Sequence, residues 1–106
     1  MFFFCFHAEA KVIAAWNFYE NKWQDKVVEK TKELAPTMIR WGGCFASYYH
    51  WKEAIGPQKN RVPMYNHVWH GYYYNQVGTH EFLDFCRQVG AEPLLVANME
   101  SEGQDF

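Results

Sequence analysis

The stretch Thr37-Met38-Ile39-Arg40-Trp41-Gly42-Gly43-Cys44-Phe45 decides how this chain is read. A short apolar run ends in an arginine, a tryptophan and two glycines, and Ala35-Pro36 stands just before it. The residue before a proline avoids the α region, so a preceding helix has to stop there. Thr37–Trp41 then reads as a short strand, reached through a link of one or two residues as in α/β units. At the strand exit, arginine offers a rigid fork of donors and tryptophan a flat apolar face with one polar edge. Paired glycines let the backbone turn tightly and come close to a ligand. This combination suits a sugar site. It equally suits a structural turn over a packed tryptophan.

Working backward, residues 8–34 carry the spacing of a helix. Ala8, Ala10, Ala14 and Ala15 favour helix, and Trp16, Trp23, Val27 and Leu34 recur at multiples of three to four residues. Asn21 is the point at which this helix breaks in two. Working forward, residues 42–77 show no sustained period but are rich in aromatics, which argues against plain disorder. A loop of that length inside a compact domain is usually functional. A second helix begins at Gly78-Thr79, with Thr79 as N-cap and Glu81 favourably placed in its first turn. Phe82, Leu83, Phe85 and Cys86 form its apolar stripe, and Gly90 takes the left-handed position after its last turn. Leu94-Leu95-Val96-Ala97 reads as a buried strand running into Asn98. Two nearly all-apolar strands with a helix between them predict a parallel sheet covered on both faces, with Thr37–Trp41 and Leu94–Asn98 side by side.

Ten Lys+Arg stand against twelve Asp+Glu in 106 residues, a formal net charge of −2. Without a basic excess, a nucleic-acid partner is not expected. Cys5, Cys44 and Cys86 are an odd, widely spaced set, which argues against a disulfide framework or a zinc knuckle and for a reducing compartment. Met1–Phe6 is too short for a signal peptide core or a membrane span, so no membrane partner is expected. His50, His67 and His70 lack a carboxylate or cysteine at ligand spacing, so no metal is expected.

Further motifs follow in order: His50-Trp51, Ile55-Gly56-Pro57, Val68-Trp69, Asn75-Gln76-Val77-Gly78-Thr79-His80-Glu81-Phe82 and Gly90-Ala91-Glu92-Pro93. Together with Arg40–Phe45, their order and spacing resemble the catalytic barrel of the α-L-arabinofuranosidases of glycoside hydrolase family 51, over residues 24–103. Residues 1–23 match poorly, and the proline of the family's glycine turn is absent, since Trp41 runs directly into Gly42. The resemblance implies an α/β fold, part of a (β/α)8 TIM barrel with parallel strands, intervening helices and a long aromatic loop. A complete barrel needs about 250 residues, so residues 1–106 make a single incomplete domain, the N-terminal part of the barrel. A first strand is then required, and Met1–Phe6 is the only candidate.

The implied activity is release of terminal α-L-arabinofuranosyl groups with retention, from arabinose-containing polysaccharides or oligosaccharides. It needs no cofactor and implies a cytoplasmic, homo-oligomeric parent enzyme. By the resemblance Arg40 and Cys44 lie in the sugar subsite, Asn98 lines the pocket floor, and Trp69 sits in the loop beside it. The family's acid/base is the glutamate of an Asn-Glu pair on the fourth strand and its nucleophile a glutamate on the seventh. No Asn-Glu dipeptide occurs here, so no catalytic residue is assigned. Glu100 does not match the motif, and Glu53, Glu81 and Glu92 read as solvated or capping charges. The rival expectations are a non-enzymatic small α/β module that binds carbohydrate or protein through its aromatic loop, and a gene fragment without function of its own.

Overall fold

The computed structural model of the chain describes residues 3–6, 15–41, 49–66 and 71–97, and of residues 3–6, 66, 71 and 73 the backbone alone. Its centre is a three-stranded parallel sheet of β1 (Phe3–Phe6), β4 (Met38–Trp41) and β7 (Glu92–Leu95), with β4 in the middle. Phe3 is in register with Met38, and Met38 with Glu92. Within the opening aromatic segment, the only candidate for a first strand, Phe3–Phe6 is a strand paired in parallel with β4. The two apolar runs expected to pair do so in parallel. Helix α1 (Asp25–Leu34) leads into β4 and helix α2 (Thr79–Val89) into β7.

The alternation of β4 sets the layers. Ile39 and Trp41 are buried and Met38 and Arg40 half-buried, as strand geometry demands of residues on opposite faces. Ile39, Trp41, Phe82, Phe85 and Val89 belong to one core, and Trp41 lies stacked on Phe82 with ring centroids 5.3 Å apart. The buried stripe of α2 thus covers the Ile39/Trp41 face of the sheet. Arg40 belongs to the other face.

The long helix expected over residues 8–34 is corrected. Among the described residues helix occupies Ala15 and Asp25–Leu34, and β2 (Trp16–Asn17) and β3 (Lys22–Trp23) form an antiparallel hairpin between them, while residues 8–14 lie outside the described ones. The tryptophans spaced as if on a helix are a cross-strand pair, edge to face at 5.1 Å. Local chemistry explains the reversal. Asn17 Oδ1 accepts from the backbone N–H groups of Tyr19 and Glu20, and Asn21 adopts a left-handed φ of 54°. Asparagine side chains compete with the helix ladder in this way. The hairpin is then fastened to α2, because Trp23 Nε1 donates to Glu81 O at 2.7 Å and the Trp23 ring packs on Phe85.

Helix ends follow their caps. α1 stops at Ala35, whose φ is 50°, directly before Pro36. α2 stops at Gly90, with φ 75°, as its sequence predicts. Its start differs by one position from the expectation, since Gly78 is the N-cap and Thr79 the first helical residue. A Cβ on Gly78 would fall 2.1 Å from Ala54 O, so only glycine lets the helix start so near the preceding loop. Glu81 supplies the capping contact, accepting from Gly78 N at 2.7 Å.

The long segment after β4 has structure of its own. It contains the single 3-10 turns Trp51–Ala54 and Gln58–Asn60 and a hairpin of β5 (Met64–Asn66) and β6 (Gly71–Tyr73). One further correction concerns β7. Its sequence looks buried, yet Leu94, Leu95 and Val96 are 39, 49 and 38 % exposed, because β7 pairs with β4 alone among the described strands.

Candidate functional site

The C-terminal ends of β4 and β7 lie together, closed by a hydrogen bond from Val96 N to Trp41 O. In parallel α/β sheets this is the end at which ligands bind. Arg40 stands there on the middle strand, half-buried, in register with Cys5 and Leu94. It occupies the face that α2 leaves uncovered. Cys44, Trp69 and Asn98, expected beside it, lie outside the described residues, as do His67 and His70. Among the described residues no three His, Cys, Asp or Glu side chains gather to hold a metal ion, and no helix is long and apolar enough to cross a membrane.

A cleft of about 240 Å³ opens near the same strand ends, but on the helix side. Its walls include Trp41, Tyr49, Trp51, Ile55 and Leu95, and Thr79 is its one polar aliphatic residue. Among the described residues no carboxylate lines it. Its apolar wall continues into the exposed side chains of β7, which makes it a packing groove. Burial pushes the Tyr49 phenol up, so the hydroxyl stays protonated at ordinary pH.

Sequence reasoning missed Arg61. Its side chain is 2 % exposed, and every donor nitrogen of its guanidinium is used. Nε and Nη2 donate to Gly56 O, at 3.1 and 2.8 Å. Nη1 donates to Asn75 O at 3.1 Å and to Gln76 O at 3.3 Å. The fork meets both oxygens of Glu81, Nη1 to Oε1 at 2.6 Å and Nη2 to Oε2 at 3.1 Å. Glu81, expected as a solvated or capping charge, is thus also half of a buried ion pair. Burial raises its carboxyl, but hydrogen bonds from Arg61 and from Gly78 N–H, with the guanidinium charge, outweigh that and hold it below the usual carboxylate range. It is an anchor, poorly suited to donate a proton. Asn75, with φ 59°, continues the clamp through Nδ2 to Val62 O at 2.6 Å. Nothing local around Arg61 announces this role, because its partners lie five to twenty positions away. The signal within reach was Glu81 itself, one turn into an amphipathic helix and next to a glycine start.

Cys86 is buried and its thiol is pushed up to about 11, first by burial and then by the charge of Glu92. It is a packing residue, inert as a nucleophile. His50 lies 3.5 Å from Glu53, a surface-type contact one helical turn apart.

The three-stranded parallel sheet, with α2 covering one of its faces, defines a small α/β unit. Residues 30–105 match the model of the alpha-L-arabinofuranosidase 1 domain, and the chain belongs to that family, the α-L-arabinofuranosidases of glycoside hydrolase family 51. It is 46 % identical over 77 residues to the intracellular exo-alpha-L-arabinofuranosidase of Bacteroides ovatus, a match that takes in 71 % of this chain and 15 % of the relative. It is 35 % identical over 85 residues to the intracellular exo-alpha-(1->5)-L-arabinofuranosidase of Bifidobacterium longum, covering 79 % and 15 %. Among solved structures, a family 51 enzyme from Bifidobacterium longum superposes with a TM-score of 0.84 at 28 % identity, over 96 % of this chain and 21 % of that one. The Thermotoga maritima enzyme, solved as an arabinose complex, superposes with a TM-score of 0.76 at 34 % identity, over 86 % and 19 %. The chain therefore spans about a fifth or less of the length of these relatives.

Proposed function

We propose that this chain contributes part of the arabinofuranosyl-binding mouth of a retaining α-L-arabinofuranosidase and none of its catalytic carboxylates. Arg40, Cys44, Trp69 and Asn98 are the sugar-binding residues. The observation that carries the reading is the position of Arg40, at the C-terminal end of the middle parallel strand and on the face opposite α2. From there its fork of donors is able to take the hydroxyls of a furanosyl ring in two-pronged fashion. Retention needs two carboxyls about 5–5.5 Å apart, one as acid/base and one as nucleophile. Glu81 is committed to Arg61 and serves neither role. The rest of the machinery belongs to further barrel strands, in a cytoplasmic, homo-oligomeric enzyme.

Two measurements test this. The chain of residues 1–106 releases no aryl alcohol from an aryl α-L-arabinofuranoside above background; turnover that disappears on Glu100→Gln overturns the assignment of chemistry. Saturation-transfer NMR with L-arabinose shows contact in the wild type and its loss in Arg40→Ala, with the melting temperature little changed. Equal loss of fold and contact would make Arg40 a structural residue.

A further inference from the structure

Three tyrosines on the β5–β6 hairpin are left over by the site just described. Tyr65 and Tyr72 are direct cross-strand partners, so they project from one face of the hairpin. Tyr74, two positions after Tyr72, continues the same side. Met64, on the opposite face, packs against the core. The hairpin thus turns its apolar side inward and a row of phenols outward. Tyr65, Tyr72 and Tyr74 are 40, 58 and 59 % exposed. Their rings are contiguous, with centroids 5.6 Å apart for Tyr65–Tyr72 and 6.5 Å for Tyr72–Tyr74.

The row is also held in place. Arg61 grips Asn75 O and Asn75 Nδ2 grips Val62 O, which fixes both legs of the hairpin at its base. A surface ordered in advance loses less entropy on binding. Its charge is the selective feature. Residues 62–66 and 71–77 contain no Lys, Arg, Asp, Glu or His. Among these described residues a phosphate polymer or an acidic polysaccharide finds no cation, and a basic partner no carboxylate. What fits is a neutral, elongated ligand with alternating apolar and hydroxylated edges. Sugar rings have that character: their C–H faces lie on aromatic rings while their hydroxyls meet phenol groups and water.

We propose that Tyr65, Tyr72 and Tyr74 form a stacking surface for a neutral polysaccharide chain, distinct from the Arg40 mouth. The choice of an arabinose polymer as that chain rests on the function proposed above. The surface would hold the body of the polymer while a terminal residue is bound elsewhere.

Native gel electrophoresis of the whole chain through gels containing linear α-(1→5)-arabinan tests this. Wild-type protein is retarded. Tyr72→Ala weakens the apparent affinity about fivefold, the scale of one aromatic contact, Tyr72→Phe keeps most of it, and both keep the wild-type melting temperature. Arg40→Ala leaves the retardation in place. No retardation of the wild type, or retardation equal in Tyr72→Ala, overturns the proposal. So does concentration-dependent self-association that Tyr72→Ala removes in the absence of polysaccharide, which would make the row an interface between copies. Tyrosine-dependent retardation by xylan but not by arabinan upholds the surface and overturns the choice of an arabinose polymer as the chain it holds.

Discussion

The two flanks of the sheet's helix side are built from the same kinds of residue and behave in opposite ways. Around β4 and α2, Ile39, Phe82 and Phe85 are 0 % exposed, and the aromatic rings of Trp23 and Trp41 complete the packing. Along β7, the run Leu94-Leu95-Val96 is just as apolar but open. Apolar residues stabilise only when something covers them, at about 25 cal/mol per Å² removed from water. The β4–α2 side has its cover within this chain, and β7 pairs with β4 alone among the described strands. A strand of a parallel sheet, read from composition, looks buried in either case.

This contrast is open to direct attack by mutation. The largest effect is expected at Phe82, where Phe82→Ala removes a ring that touches Trp41 and leaves a cavity in the best-packed part of the core. The cost is about 3–5 kcal/mol, a large share of a small domain's stability, and urea denaturation measures it. A cost below about 1 kcal/mol would break the comparison, since it would put the β4–α2 side on a level with the exposed edge.

Next comes the clamp that ties the loop to α2. Arg61→Ala leaves the Glu81 carboxylate and several carbonyls without their partner, at about 3 kcal/mol. The same pair sets an acid limb of stability. Glu81 is held below its usual range in the fold, so the unfolded chain binds the proton more readily. The stability it contributes is present above about pH 4.3, the ordinary glutamate value, and is lost as pH falls through the lower folded value. Thermal melts from pH 7 to pH 3 should show that loss. The acid slope should be shallower in Glu81→Gln, and an unchanged slope would mean that Glu81 is not the group responsible.

The smallest effect is expected on the open flank. Leu95→Ala should change stability by no more than about 0.5 kcal/mol, because the side chain is half solvated already. Leu95→Lys sharpens the point: a charge on an apolar sheet edge opposes edge-to-edge association, so sedimentation at high concentration should show less self-association with the fold intact. A large loss of stability in Leu95→Ala would show that β7 is covered after all.

Local chemistry in the sequence determined a good deal of this protein. Ala35-Pro36 ends α1 and Gly90 ends α2, because each depends on backbone preferences, and the apolar runs on either side of α2 pair in parallel, because a helical crossover joins them. The motif series from Arg40 to Pro93 likewise carried the family. Other features were decided by tertiary structure alone. Trp16 and Trp23 have the spacing of a helix face, yet Asn17 and Asn21 turn the chain and packing on Phe85 makes them a hairpin pair. Arg61 looks like any surface arginine until the loop folds back and brings Gly56, Asn75, Gln76 and Glu81 around it. The exposure of β7 is of the same kind, because a residue's type sets how strongly it seeks cover and only the fold decides whether cover is present.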